Sequence, residues 1–330
     1  MVVERTLTVF SPSGLCNRLK VLASGLALAE TSGRRFKMLW PLTPACAAPF
    51  AALFCNDLEV ITVTRDEIQG LPLIPGWLGI PPDILIQDEP DLVIGLSSQL
   101  VRPDLYPAHA ALQECCLEKF IQLQPVPGIQ AQVEAFQQQN FKTSMIGVHL
   151  RRGDFVRFRP DVSGNLEQAL QAVDKFLERL PDAGILLCSD ENPQGPGAEV
   201  HRRFAARYGR RLAPRQPSSL DRASVEGIQQ ALVDLWLLRA TDAFVGTAGS
   251  TFSDTATWGR KVPHRLTAAP TSSYHRLERL ARLTGVYALL RLLGRRQIGQ
   301  EIPFPALLRY FRRSLKRSLG KSPGSQGARR

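Results

Sequence analysis

Short apolar runs alternate with helical segments along this chain, and this alternation restricts its fold more than any other feature. Several runs lack the regular polar alternation of a half-exposed strand, which is typical of parallel strands covered on both faces. Together with the helix patterns between them, they predict an α/β fold. The predicted strands are Thr6–Phe10, Phe36–Trp40, Leu58–Val63, Leu92–Leu96, Met145–Leu150, Gly184–Ser189 and Ala243–Gly246, and the predicted helices are 17–32, 108–123, 165–180, 198–208 and 226–240.

The length of the chain, 330 residues, predicts two such units. A Pro-Val-Pro-Gly stretch at 125–128 is the predicted boundary, because proline and glycine punctuate regular structure. The predicted domains are therefore 1–125 and 126–270. A tail at 271–330 follows, and its Gly/Ser/Arg-rich end is expected to be disordered.

The sequence shows no pattern of a signal peptide or a membrane span. The uncharged apolar stretch from Val21 to Ala29 is too short to cross a bilayer. The six cysteines are scattered without metal-ligand spacing, so we expect free thiols in a reducing cytoplasm.

The net charge of +11 is concentrated in the tail. Residues 276–330 contain 14 of the 41 Lys and Arg residues but two of the 30 acidic ones, so the main body is nearly neutral. This asymmetry indicates an interaction tail rather than a nucleic-acid-binding protein.

Within the tail, 304–319 has the pattern of an amphipathic helix. Five apolar residues share one helical face: Phe304, Leu308, Phe311, Leu315 and Leu319. Basic residues occupy much of the remaining helix surface. The segment is predicted either to lie on the inner face of a membrane that contains anionic lipid or to pack its apolar stripe on the protein body.

The end of the Met145–Leu150 strand carries the most informative polar motif, His-Leu-Arg-Arg-Gly-Asp at 149–154. Ligands of open α/β sheets bind at the carboxyl ends of the strands, and guanidinium groups suit phosphate. Arg151 and Arg152 therefore predict an anion site. The alternative is that both arginines form salt bridges with local carboxylates such as Asp154.

Three further turns follow predicted strands. The turn at 11–19 contains Gly14 and Asn17, which could contact an anion or simply start a helix. The turn at 188–192 contains Asp190 and Glu191, which could border a ligand site or be ordinary solvated loop acids.

The turn at 247–253 supplies Ser250, Thr251 and Ser253 as donors to phosphate, or as an ordinary Ser/Thr cap. The turns at 149–154, 188–192 and 247–253 are expected at one edge of one sheet, facing the first turn. Together they predict a cleft for a phosphate-bearing ligand.

The segments GLCNRL, HLRRGD, CSDEN and VGTAGSTFSDTA resemble the ordered motifs of the fucosyltransferase superfamily, over residues 7–260. This group includes α1,2- and α1,6-fucosyltransferases, nodulation fucosyltransferases and protein O-fucosyltransferases. The resemblance implies a GT-B fold, in which two Rossmann-like parallel-sheet domains face each other across a cleft. It also implies inverting, metal-independent transfer of fucose from GDP-fucose to a glycan, with no further cofactor.

The resemblance also implies roles for individual residues. Arg151 would neutralise the diphosphate with Arg152 and Asp154 as supporting partners, and Asp234 would accept hydrogen bonds from guanine. The remaining expected donor-site residues are Gly14, Asn17, His149, Asp190, Ser250, Thr251, Phe252 and Ser253. Cys16 replaces a glycine common in the family, and the 247–250 turn is a residue longer than in some members.

Some questions stay open at this level. Asp154, Asp190 and Glu191 are candidate bases, and no base at all is an alternative. The rival functions are a glycosyltransferase with another nucleotide sugar and a non-catalytic protein that binds a glycan or nucleotide. A lipid-linked glycan acceptor would suit a peripheral membrane protein.

Overall fold

The structure is a computed structural model. It describes residues 4–74, 80, 90–96, 99–103, 107–153, 166–192, 198–213 and 215–267. Asp154 and the basic tail lie outside the described residues, so the expectations for them stay predictions.

The first half of the chain forms a five-stranded parallel sheet in the order β3-β2-β1-β5-β4. Helix α1 follows β1 and ends at Gly33, whose left-handed conformation (φ 61°) is favourable for glycine. Helix α2 packs on α1. The elements are β1 (Thr6–Phe10), α1 (Leu15–Ser32), β2 (Arg35–Pro41), β3 (Val60–Val63), β4 (Leu73–Ile74), β5 (Asp91–Leu96) and α2 (Ala110–Ile121).

The second half forms another five-stranded parallel sheet, in the order β10-β9-β6-β7-β8. Its elements are α3 (Pro127–Asn140), β6 (Met145–Leu150), α4 (Leu166–Leu177), β7 (Gly184–Ser189), α5 (Glu199–Tyr208), β8 (Leu212–Ala213), α6 (Val225–Arg239), β9 (Ala243–Thr247), α7 (Thr251–Thr257) and β10 (His264–Thr267). Two parallel sheets with helices confirm the predicted α/β class.

Burial on both faces explains the continuous apolar runs of the second sheet. Every residue of β6, β7 and β9 is buried. Along β6, Met145 belongs to the core cluster that includes α6, whereas Ile146 and Val148 belong to the cluster that includes α4 and α5. Alternate residues therefore face two separate helical layers, and both layers require apolar side chains.

One of the hydrophobic core clusters spans both halves. The ring of Phe54 lies 5.9 Å from that of Trp236, and Phe120 lies 5.0 Å from Trp258. Helix α1 also contacts α7, where the ammonium of Lys20 lies 4.0 Å from a carboxylate oxygen of Asp254. This packing places the turn after β1 beside the ends of β6 and β9.

Three strands of the structure were not predicted from the sequence: β4, β8 and β10. Each is an edge strand, and β4 and β8 contain two residues each. A short strand at an edge needs no continuous apolar run, and three of the four residues of β10 are exposed. The pattern that reveals a central strand is therefore missing.

The predicted domain boundary falls between α2 and α3. The segment there packs on the first half, since Cys55 N–H donates to Gln124 O at 3.0 Å and Val126 N–H donates to Leu53 O at 3.0 Å. The division at residue 125 stays a prediction. The six cysteines form no disulfide. None of the helices in the described ranges combines the length and apolar character needed to cross a membrane.

Candidate functional site

A cavity of about 310 Å³ lies where the two halves meet. The first half contributes the turn after β1, including Gly14 and Asn17. The second half contributes the ends of β6 and β7, the segment at 217–222, one face of α6 and the start of α7. The polar turns therefore lie together at one edge of the sheet, as predicted. This is the position where α/β folds bind ligands.

Hydrogen bonds from both neighbouring strands fix the turn after β6. The backbone N–H of Arg151 donates to Thr247 Oγ1 at 2.9 Å, and that hydroxyl donates to His149 O at 3.1 Å. On the other side, Asp190 Oδ1 accepts the N–H groups of Arg152 at 2.7 Å and Gly153 at 3.0 Å. Asp190 borders the cavity, but these contacts assign it to holding the backbone of the turn.

The two adjacent arginines have different surroundings. Arg151 lines the cavity, whereas Arg152 Nε donates to Glu191 Oε1 at 2.7 Å and its guanidinium lies 3.6 Å from Glu199. Successive residues at the end of an extended strand point to opposite sides of the sheet. Arg151 therefore points to the side of His149 and α6, and Arg152 points to the side of Leu150 and α5. The interpretation of a paired anion site is corrected to one arginine in the cavity and one in an internal ion pair.

His149 is a buried neutral ring that supports the floor of the site. It stacks on Phe252 with ring centroids 4.6 Å apart, and its Nδ1 lies 2.7 Å from Ser253 Oγ. Burial, with a smaller contribution from nearby Arg151, lowers its pKa from 6.5 to about 3. The ring therefore carries no charge near neutral pH.

The neutral state of His149 predicts a pH-dependent stability. Between the unfolded pKa of 6.5 and the folded value of about 3, the unfolded chain binds more protons at this ring than the folded one. The free energy of unfolding should therefore fall on acidification through this range, by up to about 1.4 kcal/mol per pH unit from this ring. Urea unfolding across this range should show a weaker pH dependence for His149→Asn than for the wild type.

Burial also lowers the pKa values of His109 and His201, but these two residues are present in both the wild type and the His149→Asn variant. The difference between the two pH profiles therefore isolates His149. Parallel profiles for the wild type and the variant would contradict a neutral buried ring.

The hydroxyl turn after β9 contributes less than the sequence analysis expected. Ser253 is fully buried, and its oxygen accepts the N–H of Thr247 at 3.0 Å in addition to contacting His149. Ser250 is also fully buried, and its hydroxyl has no hydrogen-bond partner among the described residues. Thr251 and Phe252 are the members of this turn that line the cavity.

Asp234 lies on the wall of the cavity formed by α6. The residue as a whole is 7% exposed, and Arg215 Nε donates to its Oδ1 at 2.5 Å. Burial raises the pKa of this carboxyl, and the adjacent guanidinium of Arg215 opposes the rise. Asp234 was predicted from its sequence motif, but Arg215 was not, because it follows β8 and stands 19 residues before its partner.

The segment at 217–222 is a further part of the site that the sequence analysis missed. Pro217, Ser219, Leu220 and Arg222 line the cavity, and the carbonyl oxygen of Arg222 accepts the N–H of Ala47 at 3.1 Å. Its composition is that of an ordinary surface loop, so no sequence signal identified it. The segment therefore joins the second half to the first beside the cavity.

The close approach of this segment to α6 depends on Gly227. A Cβ atom there would lie 1.9 Å from the carbonyl oxygen of Asp221. Gly227→Ala should therefore displace the 217–222 segment and lower the free energy of unfolding by about 1–3 kcal/mol. Urea denaturation measures this loss.

Gly128 is the matched control, because it also lies in the first turn of a helix but a Cβ atom added there would meet no other atom within 4 Å. Gly128→Ala should leave stability unchanged or raise it by up to about 1 kcal/mol. Equal effects of the two alanines would contradict the close contact at Gly227.

The turn after β1 is held by a buried arginine. Arg18 is fully buried, and its Nε donates to Ser13 O at 2.7 Å while a terminal nitrogen donates to Thr43 Oγ1 at 2.9 Å. These bonds join the loops that follow β1 and β2. They fix the turn that carries Gly14 and Asn17 at the cavity.

Within the described part of the chain, no three His, Cys, Asp or Glu residues are grouped to hold a metal ion. Metal independence stays a prediction. Cys16 and Cys188 border the cavity, and burial raises the pKa of both thiols, that of Cys16 to about 12. Both cysteines therefore remain protonated at neutral pH.

Comparison with known proteins identifies the fold. No family model and no curated protein matches this sequence. Among solved structures, NodZ alpha-1,6-fucosyltransferase soaked with GDP-fucose matches with a TM-score of 0.53 and 18% identity, covering 78% of this chain and 93% of that chain. The selenomethionine form of NodZ from Bradyrhizobium matches with a TM-score of 0.50 and 18% identity, covering 77% and 91%.

Arabidopsis thaliana FUT1, as a mutant in complex with GDP, matches with a TM-score of 0.54 and 16% identity, covering 81% of this chain and 71% of that chain. The expected GT-B fold is confirmed, since the chain shares the fold of these fucosyltransferase structures. At these identities the comparison establishes architecture, and the chemistry has to be argued from the site itself.

Proposed function

We propose that this protein transfers fucose from GDP-fucose to a glycan acceptor with inversion at the sugar. The observation that carries the proposal is the position of Arg151. It lies at the end of the central strand of the second sheet, in the same cavity as Asp234 and the Gly14–Asn17 turn. A cation that shares a cavity with a proposed base-binding acid suits a sugar nucleotide, which carries a diphosphate as well as a base.

In the proposed reaction, the bond between the sugar C1 and the β-phosphate oxygen breaks while an acceptor oxygen bonds to C1. The acceptor hydroxyl loses its proton, and GDP leaves with the bonding electrons. Negative charge therefore grows on the β-phosphate in the transition state. The guanidinium of Arg151 would stabilise that charge from a position fixed by its backbone bond to Thr247.

The proton acceptor stays unassigned. Asp190 Oδ1 already accepts two backbone N–H groups, and Glu191 Oε1 accepts from Arg152. These contacts favour a structural role for both acids over that of a base. Asp154, the third candidate, lies outside the described residues.

Asp234 is the proposed contact for guanine. Guanine presents N1–H and a 2-amino group side by side, and an ionised carboxylate accepts both. The position of Asp234 on the cavity wall formed by α6 suits that role. This feature supports GDP over the nucleotides of the rival sugar donors, because uracil and adenine lack the pair of adjacent donors.

Ligand-dependent thermal stability tests the proposal first. GDP and GDP-fucose should raise the melting temperature, with a stabilisation of about 2.7 kcal/mol at 100 times the dissociation constant. UDP and ADP at the same concentration should raise it less. An equal or larger effect of UDP or ADP would favour the rival glycosyltransferase.

Turnover separates an enzyme from a binding protein of the same fold. Release of GDP from GDP-fucose, followed with a panel of glycan acceptors, should depend on the acceptor. Tight binding of GDP-fucose without GDP release for any acceptor in the panel would favour the non-catalytic alternative.

Association with membranes is a separate proposal and rests on the sequence of 304–319 alone. Full-length protein should sediment with vesicles that contain anionic lipid and not with neutral vesicles. Replacing both Leu308 and Leu315 with serine should reduce sedimentation. Equal sedimentation of the wild type and this variant would indicate that the apolar face does not enter the lipid.

A further inference from the structure

Asp234 belongs to a polar network that includes Arg215 and the buried Gln230 and extends to the exposed residue Gln132. The side chains of Arg215 and Asp234 are 9% and 10% exposed. A terminal nitrogen of Arg215 donates to Gln230 Oε1 at 2.8 Å, and Gln230 Nε2 donates to Gln132 Oε1 at 3.0 Å. The network thus links the segment after β8 with α6 and α3.

The packing holds the guanidinium of Arg215 in place. Its central carbon lies 6.0 Å from the ring centroid of Phe136 on α3, and its Nε bonds Asp234 while a terminal nitrogen bonds Gln230. A guanidinium with several fixed partners loses little further freedom when it orients a carboxylate. Arg215 therefore determines where the carboxylate of Asp234 points.

We propose that Arg215 is a positioning residue that makes the site selective for guanine, because it holds Asp234 as an oriented carboxylate. The inference rests on the proposed function, which places guanine against Asp234. Arg215 itself contacts Asp234 and not the nucleotide in this proposal.

The chemistry of the two purines explains the selectivity. A carboxylate accepts hydrogen bonds and donates none. Guanine offers it two adjacent donors, N1–H and the 2-amino group, whereas adenine offers the 6-amino donor beside the N1 lone pair. A protonated carboxyl both donates and accepts, so it would match adenine as well. The ionised state of Asp234 is therefore what rejects adenine.

The groups around Asp234 make its ionisation dependent on Arg215. The site is desolvated, which raises the pKa of the carboxyl, and Arg215 opposes this rise. Burial, and to a smaller extent the nearby Asp234, raises the pKa of Cys188 on β7, so this neighbouring thiol stays neutral. Arg215 is thus the cation that favours the charged form.

Nucleotide affinities of full-length variants test the inference. Isothermal titration with GDP, IDP and ADP should be compared for the wild type, Arg215→Met, Arg215→Gln and Arg215→Lys at several pH values. The matched control is Arg207→Met, which removes an exposed arginine that pairs with Asp174 on the α4–α5 side of the sheet.

Arg215→Met should weaken GDP binding at neutral pH by about tenfold or more, the effect of one charge-assisted hydrogen bond. Affinity for ADP should change much less, so the GDP-to-ADP ratio should fall. The loss should shrink as the pH rises, because the pKa of Asp234 is higher without the adjacent cation. IDP, which lacks the 2-amino group, should lose less than GDP, and Arg215→Lys should recover part of the selectivity.

Other outcomes contradict the inference in distinguishable ways. Equal losses for GDP and ADP, independent of pH, would mean that Arg215 only supports the fold. If Arg215→Met does not fold, Arg215→Gln keeps a hydrogen-bond donor without the charge and must show the same loss of selectivity. If the wild type itself does not prefer GDP over ADP, the proposed function fails together with this inference.

Discussion

Replacing Arg151 with alanine is expected to lower the turnover number by at least about 10²–10³-fold, the usual cost of removing one donor to developing charge. The reason is that Arg151 lines the cavity at the end of the central strand β6, where the β-phosphate is proposed to lie. Its backbone N–H, rather than its side chain, bonds Thr247, so the turn should survive the substitution. Acceptor-dependent GDP release and circular dichroism measure the two effects.

Arg151→Lys should also be a poor enzyme, because one ammonium group does not reproduce the planar pair of donors. Arg203→Ala serves as the control, since Arg203 forms an exposed ion pair with Glu167 away from the cavity lining. It should keep wild-type turnover. A folded Arg151→Ala variant with near-normal turnover would rule out the proposed mechanism.

Replacing Asp234 with asparagine is expected to weaken GDP binding by about 10- to 100-fold, since a hydrogen bond to a charged group contributes about 1.5–3 kcal/mol. The substitution keeps the size of the side chain but removes its charge and one acceptor. The amide nitrogen is itself a hydrogen-bond donor. It must then face either the guanidinium of Arg215 or the donor edge of guanine, and neither can accept its hydrogen bond. Isothermal titration with GDP and ADP measures the effect, and ADP affinity should change little.

The pH dependence distinguishes this variant from those at Arg215. Asparagine does not ionise, so raising the pH should not restore GDP binding to Asp234→Asn, whereas it should partly restore binding to Arg215→Met. Unchanged GDP affinity in Asp234→Asn would place guanine elsewhere.

The central strands and the edge strand β3 were predictable from the sequence, and the other edge strands were not. The bounds of β1, β6 and β7 agree with the predictions because each strand has buried neighbours that demand apolar residues. The edge strands β8 and β10 have a sheet neighbour on one side, and their partial exposure leaves no continuous apolar pattern.

The arginine motif was predictable only in part. Arg151 and Arg152 are adjacent and chemically alike, so composition alone assigns them the same role. The period of two along an extended chain separates them, and Glu191 at the end of the neighbouring strand accepts from the second arginine. The period was available from the sequence, but the partner of Arg152 became evident from the strand order.

Arg215 was hidden for a different reason. It lies in the connection between β8 and α6, in the proline-containing stretch RQPSS, which is typical of a surface loop. Its contact with Asp234 depends on how that connection returns to α6. Contacts between a loop and a distant helix have no periodic signal, so the sequence could not indicate this network.

A crystal structure of the protein with bound GDP would show directly whether Arg151 meets the diphosphate. We expect the diphosphate within hydrogen-bond distance of the Arg151 guanidinium and the guanine edge on the carboxylate of Asp234, with Arg215 still bound to that carboxylate. GDP bound away from this cavity, or a guanidinium of Arg151 directed away from the diphosphate, would contradict the proposed donor site.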